Sequence, residues 1–161
     1  GAPTACETAG IPNVSYNGST VSACPNTFIV SSRINWAPYY EYVVNCYLNG
    51  EEIGADWTGT IATGSVVLTD VNEKAAAAGT ADKIAEVTKA LEDGSLHVFD
   101  TSTFTVEGKP VTSFMADVDT DAAYTPDTEA VKDGYIHESE YRSAPYFTLQ
   151  IDGINLLDTA Y

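Results

Sequence analysis

Two rhythms of apolar and polar positions run along this chain, and the first gives way to the second near residue 96. Residues 4–10 read as the end of a helix, stopped by Gly10 and Pro12. Residues 13–17 form a short strand that ends at the turn pair Asn17-Gly18, and a loop around Cys24, Pro25 and Asn26 leads to a second strand over 27–32. Pro38 suits the first turn of a helix, where its missing N–H costs nothing, and Asn35 stands where a cap is needed. Tyr40, Val43, Val44, Tyr47 and Leu48 then recur at helical spacing until Asn49-Gly50. At that spacing Tyr40 is expected in the core. Turns around Gly54, Gly59 and Gly64 frame a strand over 65–69. A further helix starts near Thr80, carries Ile84, Val87 and Leu91 on one face and ends at Gly94. The order α-β-β-α-β-α argues for an α/β layer architecture.

Beyond Leu96 the rhythm is strand-like. Residues 97–106 and 110–115 flank the hairpin signal Glu107-Gly108-Lys109. Residues 147–156 alternate around Asp152-Gly153, a preferred pair for a two-residue type I′ turn. The acidic, Thr- and Tyr-rich stretch between them is expected to be loop with a short helix near 127–133. The chain divides on this reading into an α/β body over 1–99 and an acidic, β-rich C-terminal extension over 100–161.

Charge sharpens the division. Residues 1–50 hold two acids (Glu7, Glu41) and one base (Arg33), so 21 of the 23 acids and six of the seven bases lie beyond them. With a net charge of −16 and so few Lys and Arg, a nucleic-acid groove or adhesion to an anionic membrane by charge is excluded as a working function. No apolar run approaches the ~18 residues of a membrane span. Gly1 is expected to be an internal residue of a longer protein, since the start carries no initiator Met and no signal-type segment. Cys6, Cys24 and Cys46 lack metal-ligand spacing and are expected as free buried thiols rather than a Cys6–Cys24 disulfide with one spare.

No catalytic set emerges. His97 and His137, the only histidines, have no zinc-motif partner, Ser139 and Ser143 lack a nucleophile elbow, and neither common phosphate loop is present. No cofactor and no resident metal is implied. Asp117, Asp119 and Asp121 alternate as in a calcium loop, but Ala122 stands where glycine is wanted and Glu129 comes one place late, so a solvated acidic loop is the expected reading. The corner at 29–40 is the richest in binding chemistry. There an apolar strand meets a helix start amid Arg33, Asn35, Trp36, Tyr39 and Tyr40. Trp36 and Asn35 fit a ligand face and a helix anchor equally. Trp57 is expected to pack a loop.

Several pieces match a known family in order: Thr4-Ala-Cys-Glu-Thr-Ala-Gly-Ile-Pro12, Ser15-Tyr-Asn17, Ser31 with Asn35-Trp-Ala-Pro-Tyr-Tyr40, Leu48-Asn-Gly50, Trp57-Thr-Gly59 with the strand Gly64-Ser-Val-Val-Leu68, and Lys83-Ile84 followed by Leu91 to Phe99. Over about residues 1–100 the chain resembles the C-terminal part of the basic membrane protein family of substrate-binding lipoproteins, the group that includes the purine-nucleoside receptor. Residues 135–147 resemble a tail found in some Gram-positive-type members. The resemblance implies a type I periplasmic-binding-protein fold, two-lobed and three-layered (α/β/α), of which this chain is a part with a β-rich C-terminal elaboration. It implies an extracytoplasmic receptor, lipid-anchored to the cell membrane through a preceding N-terminal part and not an enzyme. That receptor delivers a nucleoside, purine base or related heterocycle to an ABC transporter permease. The expected partners are the small-molecule ligand, that permease and the N-terminal half of the same protein.

Four residues are the ligand-binding candidates: Asn17 from the resemblance, Arg33 as the only base in the first 50 residues, and Asn35 and Trp36 from the corner itself. Asn17 stands where the family often has a ribose-binding aspartate, and it loses the charge-assisted bond. Arg33 falls near, not on, the place of a family lysine. The alternative function is a non-transport cell-surface binding or structural module, calcium-dependent in one version.

Overall fold

The computed structural model describes residues 1–137, 140–141 and 148–155. The chain forms two compact units, one over residues 1–95 and one from residue 96 on. Among the described residues it is mixed α and β, with three α-helices and small sheets.

In the first unit α1 (Ala2–Ala9) stops at Gly10, whose φ of 67° closes the helix with backbone N–H groups on the carbonyls of Cys6 and Glu7. β1 (Asn13–Tyr16) and β2 (Phe28–Ile34) run parallel; past a register shift after Asn13, Val14 lies against Val30 and Tyr16 against Ser32. β3 (Val66–Leu68) completes the order β1-β2-β3 antiparallel to β2, with Arg33 opposite Val67. β2 ends two residues later than its apolar run predicts, because Arg33 and Ile34 still pair with β3. α2 (Ala37–Asn49) begins with Pro38 in its first turn and ends at Gly50 with φ 69°; α3 (Thr80–Glu92) follows the 70–79 segment.

The core of this unit is small: Cys24, Phe28, Val30 and Cys46 are its buried apolar side chains, with Thr27, Ser31 and Ser65 as buried polar ones. The expectation that Tyr40 is a core anchor is overturned. Tyr40, Val44, Tyr47 and Leu48 are exposed, and Cys46 is the only buried residue of α2. The helix turns its Tyr39, Tyr42 and Cys46 side inward instead, where Trp57 meets Tyr39 and the Tyr42 hydroxyl accepts the Gly54 N–H at 2.8 Å.

The second unit uses strands of two residues: β4 (Thr105–Val106) with β5 (Lys109–Pro110), β6 (Met115–Ala116) with β7 (Thr128–Glu129), and β8 (Val131–Lys132) with β9 (Tyr135–Ile136), all antiparallel. The long strand expected over 97–106 is instead irregular chain and a 3-10 turn at Thr101–Thr103, which Asp100 caps through the Ser102 N–H. The short helix expected near 127–133 is absent. Asp133 (φ 53°) and Gly134 (φ 86°) form a two-residue hairpin turn there, matching the left-handed pair that type I′ turns need. Ala116, Ala130 and Ile136 form a closed core, packed by Phe99, Phe104, Phe114, Val118, Val131, Tyr141 and Leu149.

The hairpin expected over 147–156 lies partly outside the described residues. Its turn residue Asp152 works on another hairpin: the carboxylate accepts the Glu107 and Gly108 N–H groups at 3.0 and 2.8 Å and the Thr105 hydroxyl. Those bonds hold its carboxyl below the usual aspartate value, the Thr105 hydroxyl contributing most.

Candidate functional site

The site is built on β2. Glu7 of α1 fixes the strand's entrance, because its carboxylate accepts the Thr27 hydroxyl at 2.7 Å and the Asn26 N–H at 3.2 Å. These bonds, Thr27 first, hold the Glu7 carboxyl below its ordinary range. Asn72 fixes the segment after β3 from the other side. Its N–H donates to the Ile29 carbonyl at 2.8 Å, and its side-chain amide donates to the carbonyls of Phe28 and Pro25 at 2.8 and 3.0 Å. Thr69 adds two more ties, donating its N–H to the Ser31 carbonyl and accepting the Ser31 N–H on its hydroxyl.

Between these ties lies a groove of about 730 Å³, polar and apolar in near-equal part and within the size range of small-molecule sites. Ser19 and Val21 come from the loop leaving β1, Arg33 from the C-terminal half of β2, and Asp70, Glu73 and Lys74 from the segment after β3. Two cations and two carboxylates thus share one depression, and among the described residues none of the four takes part in an ion pair. In a chain with seven Lys and Arg, that concentration of unpaired donors beside acceptors is the clearest chemical feature of the unit.

The four sequence candidates are not brought together. Arg33 lines the groove. Asn17 sits at the end of β1 with φ 70° and donates its N–H to the Ser32 carbonyl at 2.7 Å, so its backbone ties the turn to β2 while its side chain is outside the groove lining. Asn35 closes the strand-to-helix corner. Its amide donates to the Gly64 carbonyl at 3.0 Å, and its side-chain oxygen accepts the Ala37 N–H. Both ends of that side chain are occupied by the protein's own backbone.

Trp36 belongs to an aromatic cluster with Tyr39 and Tyr40, ring centroids 6.3 and 6.4 Å away, and the cluster continues through Tyr39 to Trp57 at 5.4 Å. Trp57 packs its loop tightly enough that a Cβ at Gly59 would come within 2.9 Å of its ring and 2.6 Å of Ser65. Asp70, Glu73 and Lys74 were not among the candidates: their position depends on Asn72, whose pairing with residues more than 40 positions earlier leaves no local pattern.

An apolar slot of about 670 Å³ lies where Ile84, Val87 and Leu91 of α3 face Val30, Val66 and Leu68 of the sheet. In the second unit the two histidines, without a metal motif in sequence, stack on Tyr135, His97 at 3.6 Å and His137 at 4.0 Å. His137 also pairs with Glu140 at 2.7 Å.

In the acidic loop, the carboxylates of Asp117, Asp119 and Asp121 accept the N–H groups of Thr125, Asp121 and Ala123. No group of three or more His, Cys, Asp or Glu side chains suited to a metal ion occurs among the described residues. The three thiols are free; Cys24 and Cys46 are buried and Cys6 is partly exposed. Among the described residues no helix is long and apolar enough to cross a membrane. Compared with family models, curated proteins and solved structures, the chain matches none.

Proposed function

We propose that this chain is the C-terminal portion of an extracytoplasmic solute-binding receptor of the basic membrane protein type, with a type I periplasmic-binding fold completed by an N-terminal half. The groove beside Arg33 is the observation that carries the reading. A nucleoside or purine base needs donors and acceptors around a planar edge, and Arg33 from β2 with Asp70, Glu73 and Lys74 from the segment after β3 offer both. On this reading Asp70, which lines the groove, supplies the carboxylate that Asn17 lacks for sugar hydroxyls. The groove is open to solvent, as half of an interlobe cleft would be; closure of the second lobe over the ligand would report occupancy to the permease. Trp36 and Asn35 then serve the scaffold of the corner, and Arg33 is the recognition residue.

Calorimetry tests the division of labour. Residues 1–161 alone should give no micromolar binding of nucleosides, bases or flavins, whereas the two halves together should bind one heterocycle class. Micromolar binding by the isolated chain would overturn the half-cleft reading, and no binding by the joined halves would overturn the receptor reading. The cell-surface module remains the second reading; the exposed apolar side of α2, which ligand binding does not use, favours it.

A further inference from the structure

We infer that α2 is a self-pairing helix, through which two copies of this chain form a symmetric dimer. Trp36, Tyr40, Val44 and Leu48 stand four residues apart, so they form one continuous i±4 ridge along the helix, and Tyr47 widens it. All five are 53–81% exposed. A helix with an apolar face on each side belongs between two layers, and here only the Tyr39–Tyr42–Cys46 side has one. Beside the ridge runs a shallow groove of about 440 Å³ lined by Tyr40, Glu41, Val44 and Asn45. Ridge and matching groove on one helix are what i±4 into i±4 packing requires, at a crossing angle near −50°. Because the same patch supplies both, the pairing is isologous and closes as a dimer.

Area and charge point to a second copy as the occupant. Three large aromatic side chains with Val44 and Leu48 leave roughly 600–700 Å² per copy, near the ~800 Å² per partner of a standard-size interface. The composition is that of an interface core, rich in Trp and Tyr and poor in charge. Glu41 is the only Asp, Glu, Lys or Arg in α2, so two copies of a chain carrying −16 meet at a surface with almost none of that charge. The rest of each molecule still repels the other, which gives self-pairing a signature: salt strengthens it by screening like charges. A basic partner docked by attraction would be released by salt instead.

Sedimentation equilibrium of the 161-residue chain from about 1 μM to 1 mM, at low and high salt, tests this. The expected result is a monomer–dimer equilibrium with a dissociation constant of about micromolar order, tightened by salt. Val44→Glu, at an exposed helical position, should weaken it by about 30-fold or more with circular dichroism unchanged. Tyr47→Ala, which adds no charge, should weaken it in the same direction. A monomer at every concentration would overturn the pairing and leave the ridge to another chain. So would a dimer indifferent to both substitutions, or one dissolved by salt.

Discussion

In residues 1–95, helices of 8, 13 and 13 residues accompany a three-stranded sheet, yet the helices bury only Cys46. From residue 96 on, no strand among the described residues exceeds two residues, yet Ala116, Ala130 and Ile136 are sealed from solvent by a ring of aromatic and aliphatic side chains. Regular backbone and a closed core are separable properties. Long elements follow from local signals such as Pro38, Gly10 and Gly50, whereas closure needs every apolar face to find a partner. The core of the second unit finds its partners among residues 99–149, while Val98, Tyr124 and Ile154 stay exposed. The first leaves the α2 ridge, the outer face of β1 at Val14 and Tyr16, and the slot beneath α3 uncovered. That contrast leaves the first unit with open faces, of which the inferred self-pairing covers the α2 ridge alone.

The largest effects should come from the few residues that are fully enclosed. Phe28→Ala removes the largest fully buried side chain and should cost about 3–5 kcal/mol, and Ile136→Ala about 2–5 kcal/mol. Urea unfolding reads both, with fluorescence of Trp36 and Trp57 and the far-UV circular dichroism of the three helices reporting the first unit, and hydrogen exchange of the amides from residue 96 on reporting the second. Losses under 1 kcal/mol at either site would erase the distinction between enclosed and open regions. Gly59→Ala comes next, at about 1–3 kcal/mol, because the added methyl group meets Ser65 and the Trp57 ring. An unshifted Trp57 emission in that variant would show that the loop is looser than this contact requires.

Acid should separate the two units further. Asp100, Glu129, Glu140 and Asp152 in the second unit are all held below their ordinary values by hydrogen bonds; for Glu129 the donors are the Ser113 hydroxyl and the N–H groups of Phe114 and Val131. In the first unit only Glu7 and Asp93 are so held. A carboxylate with a depressed folded-state pKa makes the unfolded chain bind more protons. Its stabilisation is therefore full above the ordinary value, 4.5 for Glu129, and is lost as pH falls through the lower folded-state value. Stability of the second unit should fall more steeply below pH 4.5, and Glu129→Gln should flatten that slope. Equal slopes in both units would contradict the assignment. Smallest of all, at dilutions where the chain is monomeric, Tyr47→Ala should change thermal stability by no more than about 0.5 kcal/mol, since in the single chain the side chain is mostly in water.

Much of the first unit was legible in the sequence because its boundaries rest on local chemistry. Gly10 and Gly50 occupy left-handed caps and Pro38 lies in a first turn, whereas Asn35, expected as the cap, sits one residue before the N-cap Trp36 and ties the corner to the Gly64 carbonyl and the Ala37 N–H instead. Spacing identified the apolar residues of α2 but not which side would be covered, since periodicity reports a face and not its partner. In the second unit Asp152-Gly153 drew attention, while the equally clear Asp133-Gly134 pair closed the central hairpin in place of the expected helix. Arg33 was legible as the lone base of its region. Asp70 and Lys74 were not, because they reach the groove only through the ties that Asn72 and Thr69 make to β2.

The central claim is that the Arg33 groove recognises a solute. The most direct measurement is thermal unfolding of the chain joined to the proposed N-terminal half against nucleosides, bases, flavins and sugars, with Arg33→Ala and Asp70→Asn beside the unsubstituted protein. Ligand at ~100-fold over its dissociation constant should stabilise by roughly 2.7 kcal/mol for one heterocycle class. Both variants should lose that shift while keeping their ligand-free melting temperature. No shift with any compound, or a shift untouched by the two substitutions, would contradict the account.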